Sequence, residues 1–223
     1  MKRILLLTAC WLLALPALAQ IDAYTTWPYY YPDFQQGTLT LSNGQTRVMP
    51  INIHLLKGDL HFIDDKEMIQ MAPAGQFSAV QIGDDCFRRV NGYLMRITPG
   101  PDEKNFVAVR SLVDLTALNE TDGAYGTSST TASTQRITSV DLPGFVNTSH
   151  MQQFQNRDNG KKLKIKNEYY VVIDGKAVKA ARKDVTEAVG ADRQADFKQF
   201  LKKNKINWKD EQSLLKIFEF LTQ

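Results

Sequence analysis

The segments Gly37-Thr38-Leu39-Thr40-Leu41-Ser42-Asn43-Gly44-Gln45-Thr46-Arg47-Val48 and Cys86-Phe87-Arg88-Arg89-Val90-Asn91-Gly92-Tyr93-Leu94-Met95-Arg96-Ile97 decide the reading of this chain. In each, short alternating stretches flank an Asn-Gly pair. A period of two puts alternate side chains on opposite faces of a strand. Asn and Gly both tolerate the positive φ of a two-residue type I′ turn, whose twist matches that of the strands it joins. With Asn43-Gly44 as such a turn, Leu41 faces Thr46 and Leu39 faces Val48, so that these four side chains share one face. With Asn91-Gly92 as the other, Val90 faces Tyr93, Arg88 faces Met95 and Cys86 faces Ile97. Both segments read as antiparallel hairpins.

Outward from them, Lys57-Gly58, Asp64-Asp65 and Gly83-Asp84-Asp85 mark further turns, and residues 37–98 read as an antiparallel meander. Additional strands are expected at 67–71, 77–82 and 105–112, the last reached through Thr98-Pro99-Gly100-Pro101, a stiff loop. If Lys57-Gly58 is a two-residue turn, Leu55 faces Leu60 and His54 faces His61. Ile53, Leu55, Leu60 and Phe62 then make the buried face, and His54 and His61 lie with Asp59 on the more polar one. This is the arrangement in the chain that resembles a metal site, and a metal-assisted hydrolase would use His54, Asp59 and His61 around a bound water. Solvent-facing imidazoles are the plainer alternative.

Before the meander, residues 21–34 are rich in rings and carry Pro28 and Pro32, which block pairing in a central strand. Trp27, Tyr29 and Tyr30 could form an aromatic platform for a glycan or peptide, since large rigid rings supply contact area at low entropic cost. The alternative is that they close one end of the meander's core.

The chain begins Met1-Lys2-Arg3, continues with an apolar run to Leu15 and reaches Pro16-Ala17-Leu18-Ala19, the pattern of a cleaved signal peptide. A lipoprotein box ending at Cys10 is the rival reading, but it would leave the apolar residues 11–15 on the mature protein. No later apolar run approaches the ~18 residues of a membrane helix. After cleavage Cys86 is the sole cysteine, so no intramolecular disulfide can form, and its place opposite Ile97 suits a small buried residue better than a reactive thiol.

Charge divides the chain. Residues 20–149 hold nine Lys/Arg and fourteen Asp/Glu, and residues 150–223 hold sixteen and ten. The basic half could dock on the acidic one, or meet an acidic polymer or lipid headgroups. Around residues 126–134 a Ser/Thr tract reads as a loop or linker. Beyond it, Lys161-Lys162-Leu163-Lys164-Ile165-Lys166 alternates like an exposed edge strand, Asp174-Gly175 signals a hairpin, and helices follow. The first helix is expected at 183–189, the second is capped by Asp192 with Phe197, Phe200 and Leu201 on one face, and the third is capped by Asn207 with a stripe of Leu214, Leu215, Ile217, Phe218 and Leu221. The lysines lack interleaved exposed aromatics, so a nucleic-acid partner is not expected. No nucleophile elbow, phosphate loop or cofactor motif is present.

Phe34-x-x-Gly37-x-Leu39-x-Leu41-x-Asn43-Gly44, Asn52-x-x-Leu55-x-x-x-x-Leu60-x-Phe62-Ile63-Asp64, Tyr169-Tyr170-x-x-x-Asp174-Gly175-Lys176 and the run Phe200-Leu201-Lys202-Lys203-Asn204-Lys205-Ile206 resemble a loose group of exported proteins from Gram-negative anaerobes with no assigned activity. The resemblance spans most of the mature chain and implies no catalytic residue, and the Ser/Thr-rich insert departs from it.

Together these features predict an α+β protein. A signal peptide (1–19) precedes an antiparallel β-meander domain (20–115), able to roll partly into a barrel. A Ser/Thr-rich linker or loop (116–159) leads to a β-hairpin with a small C-terminal helical cap (160–223), expected to fold independently and to be loosely tethered. The expected function is a periplasmic or secreted non-enzymatic binding or structural module without a cofactor. Its partner would be a cell-envelope component, a glycan or a protein.

Overall fold

The computed structural model describes residues 24–114, 150–155, 157–159 and 162–222. The expected signal peptide, Cys10 and the Ser/Thr tract through residue 149 lie outside the described residues. The strands are β1 (Tyr24–Thr25), β2 (Gln35–Leu41), β3 (Thr46–His54), β4 (Asp59–Ile63), β5 (Ile69–Met71), β6 (Phe77–Ile82), β7 (Asp85–Val90), β8 (Tyr93–Asp102), β9 (Asn105–Asp114), β10 (Leu163–Ile173) and β11 (Lys176–Lys179). The helices are α1 (His150–Gln155), α2 (Arg182–Ala188), α3 (Gln194–Lys203) and α4 (Glu211–Leu221). All strand pairs are antiparallel and belong to one sheet in the order β1-β10-β9-β8-β7-β6-β2-β3-β4-β5, with β11 beside β10. The expected α+β class holds, and the sheet curls into a half-barrel.

The sheet is two meanders rather than one. β6 pairs with β2, not with β5, so β2–β5 and β6–β9 meet through their first strands. Curling then brings the far ends together: Val113 N–H donates to the Leu55 carbonyl (3.1 Å) and Leu55 N–H to the Pro28 carbonyl (2.7 Å).

Of the four hairpins expected at Asn43-Gly44, Lys57-Gly58, Asn91-Gly92 and Asp174-Gly175, two form as their sequences predict. Asn91 and Gly92 have φ of 50° and 82°, and the pairs Val90 with Tyr93, Arg88 with Met95 and Cys86 with Ile97 all occur. Asp174 and Gly175 (50° and 79°) likewise turn β10 into β11. The other two are longer than expected. Only Gly44 has positive φ in the β2–β3 turn, Gly44 N–H donates to the Leu41 carbonyl (2.9 Å), and Leu41 N–H to that of Gln45 (2.7 Å). That is a three-residue loop with Gly44 at its bulge position. The added residue moves the register by one, so Leu39 faces Arg47 and Thr38 faces Val48. Leu39 is therefore core while Val48 is 71% exposed, a reversal that follows from the two-residue period. Likewise β3 and β4 pair His54 with Asp59 and Asn52 with His61 across residues 55–58.

Thr98-Pro99-Gly100-Pro101 is part of β8, not a loop, and the β8–β9 register shifts between Thr98 and Asp102. A Cβ on Gly100 would lie 2.1 Å from the Asn105 carbonyl oxygen, so the two strands approach here as only glycine permits.

Leu39, Ile51, Ile53, Val80, Phe87 and Leu94 fill the concave face of the roll. On the same face, one row further along β9 and β10, Val107 and Val171 meet Val185, Phe197, Leu214, Ile217 and Phe218 of the helices. Met95, Ile97, Phe106, Ala108 and Val172 form a separate cluster on the opposite face.

The C-terminal part is continuous with the sheet. β10 pairs with β9 from Lys164 to Val172 and with β1 and β11 on its other side, so it is not the exposed edge its lysines suggested, and the expected boundary at residue 160 does not interrupt the sheet. Residues 150–159, placed in the expected linker, include α1, whose Phe154 ring lies 5.1 Å from Trp27. At α4, Asp210 rather than Asn207 is the cap, accepting from Ser213 N–H (2.7 Å).

Candidate functional site

Two groups of polar and aromatic side chains converge. The first is built on the arm that runs from β1 to β2. Asn52, fully buried on β3, holds this arm in place. Its Oδ1 accepts from Tyr31 N–H (3.1 Å) and Ile53 N–H (2.8 Å), and its Nδ2 donates to the carbonyls of Tyr31 (2.9 Å) and Asp33 (3.1 Å). With the backbone fixed, successive residues point to opposite sides. Tyr29 lies with Trp27 (4.1 Å between centroids), Phe34, His54 and His61, and Tyr30 packs instead on Phe87 (5.4 Å) within the roll.

Trp27, Tyr29 and Tyr30 are 3%, 1% and 6% exposed. The three rings proposed as a ligand platform are consumed by packing, because each supplies the apolar area that holds the arm against the sheet. Burial raises the Tyr29 hydroxyl well above its ordinary range, and does the same to those of Tyr30 and Tyr31.

His54 and His61 are buried as well, at 6% and 3%, and their rings stack at 4.6 Å and 9°. The Tyr29 hydroxyl makes a 2.7 Å hydrogen bond with His61 Nδ1. In the true register Asp59 lies opposite His54, and His61 opposite Asn52. Among the described residues no three His, Cys, Asp or Glu side chains converge as metal donors, so His54, Asp59 and His61 do not make the expected set. Cys86 is half-buried, and burial pushes its thiol pKa up against the smaller opposing pull of the Arg88 charge.

The second group lies at the seam between the core of the roll and the helical cap. Phe87, Arg96 and Val109 are cross-strand neighbours, so Arg96 and Thr98 project from β8 onto the concave face. Arg96 donates from Nη2 to Glu211, in the first turn of α4, and its Nη1 lies 3.7 Å from Asp85. Thr98 donates to the other oxygen of Glu211, and Tyr31 donates to Asp85 at 2.6 Å. Each carboxylate thus already accepts from a hydroxyl and faces a guanidinium. Such a set clamps a helix to a strand, and it leaves no free base for acid–base chemistry. Sequence reading missed it because its members come from residues 31, 85, 96, 98 and 211. The one local signal is Arg96 between Leu94 and Thr98 at inward-facing positions.

Among the described residues no helix is long and apolar enough to cross a membrane. Comparison with protein-family models, with curated proteins and with solved structures gave no match to this chain.

Proposed function

We propose that this chain is an exported, non-enzymatic binding or structural module of the cell envelope, and that it meets an anionic envelope component through residues 197–209. The observation that carries the reading is the placement of lysines on the helical cap. Between Asp196 and Asp210 the chain has Lys198, Lys202, Lys203, Lys205 and Lys209 and no acidic residue, and all five are exposed. None makes an ion pair among the described residues. Phe197 and Phe200 turn inward from α3, which leaves Lys198, Lys202 and Lys203 on its outer side. The rings and imidazoles that stand out in the sequence, Trp27, Tyr29, Tyr30, His54 and His61, are buried, and the exposed lysines offer an outer surface for recognition. Each lysine near an anionic surface contributes about 1 kcal/mol, and the attraction is screened over about 8 Å at physiological salt. Export rests on the signal pattern of residues 1–19.

The test is co-sedimentation of the chain from Gln20 onward with vesicles containing phosphatidylglycerol and with purely zwitterionic vesicles. Binding is expected to the anionic vesicles alone, to fall at least tenfold in 0.5 M salt, and to be lost when the five lysines become glutamine. Equal binding to both vesicle types, or an unaltered glutamine variant, would refute the lysine surface. Mass spectrometry of the exported protein checks the other half, with Gln20 as the expected first residue.

A further inference from the structure

The surface that carries the five lysines also carries a ring. Where the chain leaves α3, Lys205, Asn207 and Lys209 are exposed, and Ile206 and Trp208 between them lie half-buried against the helical core. Asn207 to Asp210 form a turn, closed by the Asp210 N–H donating to the Asn207 carbonyl (3.2 Å), which puts Trp208 and Lys209 at its two corners. Turn corners favour Pro, Gly, Asn, Asp and Ser, and local chemistry gives no reason for a large apolar ring there. Among the described residues no acceptor meets the Trp208 indole N–H, which unlike that of Trp27 is not buried. The ring therefore rests an apolar body on the protein and presents a polar edge at the surface. Asp210, the next residue, does not cancel the neighbouring lysines by pairing with them, because its carboxylate accepts from Ser213 N–H at the start of α4.

We infer that Trp208 is a bilayer-interface anchor and that the anionic partner of this surface is a lipid membrane, an inference that rests on the reading of residues 197–209 given above. Headgroup phosphates attract Lys198, Lys202, Lys203, Lys205 and Lys209, each exposed and free of ion pairs among the described residues. The indole enters the boundary between headgroups and acyl chains, where an amphipathic ring finds apolar contact for its body and an acceptor for its N–H. Charge and apolar contact then act together, as they do for peripheral segments that lie in the plane of the interface. A soluble polyanion supplies the charge without the apolar layer, and would leave Trp208 in water.

The chain from Gln20 onward is mixed with vesicles of phosphatidylglycerol and a phosphatidylcholine brominated on its acyl chains near the headgroup, and separately with polyphosphate. Bromine quenches an indole only on close approach, and Trp27 is buried, so loss of emission reports Trp208. The wild-type chain is expected to be quenched as it binds the vesicles and to be unaltered in emission by polyphosphate. Trp208→Ser should lose the quenching and bind the same vesicles roughly fivefold more weakly. Vesicle binding by the wild-type chain without quenching, which needs no variant, would overturn the anchor and leave the lysine surface standing. Binding to polyphosphate but not to vesicles would overturn the membrane as partner in favour of an anionic polymer. Binding to neither would remove the lysine surface itself, and the anchor with it.

Discussion

Asn52→Ala tests how the arm is held. The substitution removes four hydrogen bonds, two accepted and two donated, from a fully buried side chain. A buried protein hydrogen bond contributes about 1 kcal/mol net, and partners left unpaired cost more, while the half-exposed Tyr31 and Asp33 can recover some bonding from water. The expected loss is about 3 kcal/mol, equivalent to roughly 6–12 °C in melting temperature for a domain of this size. Urea denaturation followed by tryptophan fluorescence measures it. In a Trp208→Phe background, the chain after Ala19 has Trp27 as its only indole, and Trp27 lies in the arm itself. Asn52→Asp should lose at least as much, because it keeps the acceptor but sets a carboxylate against the carbonyls of Tyr31 and Asp33. If Asn52→Ala costs less than about 1 kcal/mol and the Trp27 emission of the folded state is unchanged, then ring packing alone holds the arm and the role given to Asn52 is wrong.

Gly100→Ala sets a Cβ 2.1 Å from the Asn105 carbonyl, and the strands must part, at a cost of about 1–3 kcal/mol in a denaturation midpoint. A neutral substitution would show that the β8–β9 approach is not tight. Arg96→Met and Glu211→Gln should each cost about 1–3 kcal/mol, because each strands a partner that is only a fifth exposed. The double variant should lose less than the sum, and strict additivity in this cycle would argue against the clamp. Raising the pH tests the tyrosines. Their folded-state pKa values exceed the unfolded value of about 10, so the stability they contribute is complete below that pH and is lost as the pH rises above it. Tyrosinate absorbance from Tyr29, Tyr30 and Tyr31 should appear only together with loss of the folded circular dichroism signal, and ionisation in the intact fold would contradict their burial.

Local chemistry determined much of this protein. The Asn91-Gly92 and Asp174-Gly175 turns need positive φ at two successive residues, which few pairs supply, so the sequence alone placed β7–β8 with its register and the hairpin of β10 and β11. The alternating strands and the apolar stripe of α4 were legible for the same reason, since each pattern repeats within a few residues. Asn43-Gly44 and Lys57-Gly58 were read one or two residues short, because Gly at positive φ serves a bulged loop as well as a two-residue turn. In the first of these loops the one-residue shift leaves Leu39 in the core and turns Val48 out; in the second the shift is by two, so Ile53 and Leu60 are buried in either reading. The pairing of β2 with β6, the union of β10 with β9 and the meeting of Arg96 with Glu211 lay beyond any local signal. Each joins residues far apart in the chain, and only the curl of the sheet brings them together. The rings and imidazoles show the same limit. Composition marked Trp27, Tyr29, Tyr30, His54 and His61 as unusual, but whether a ring meets solvent or core depends on what packs over it, and that is a property of the assembled fold.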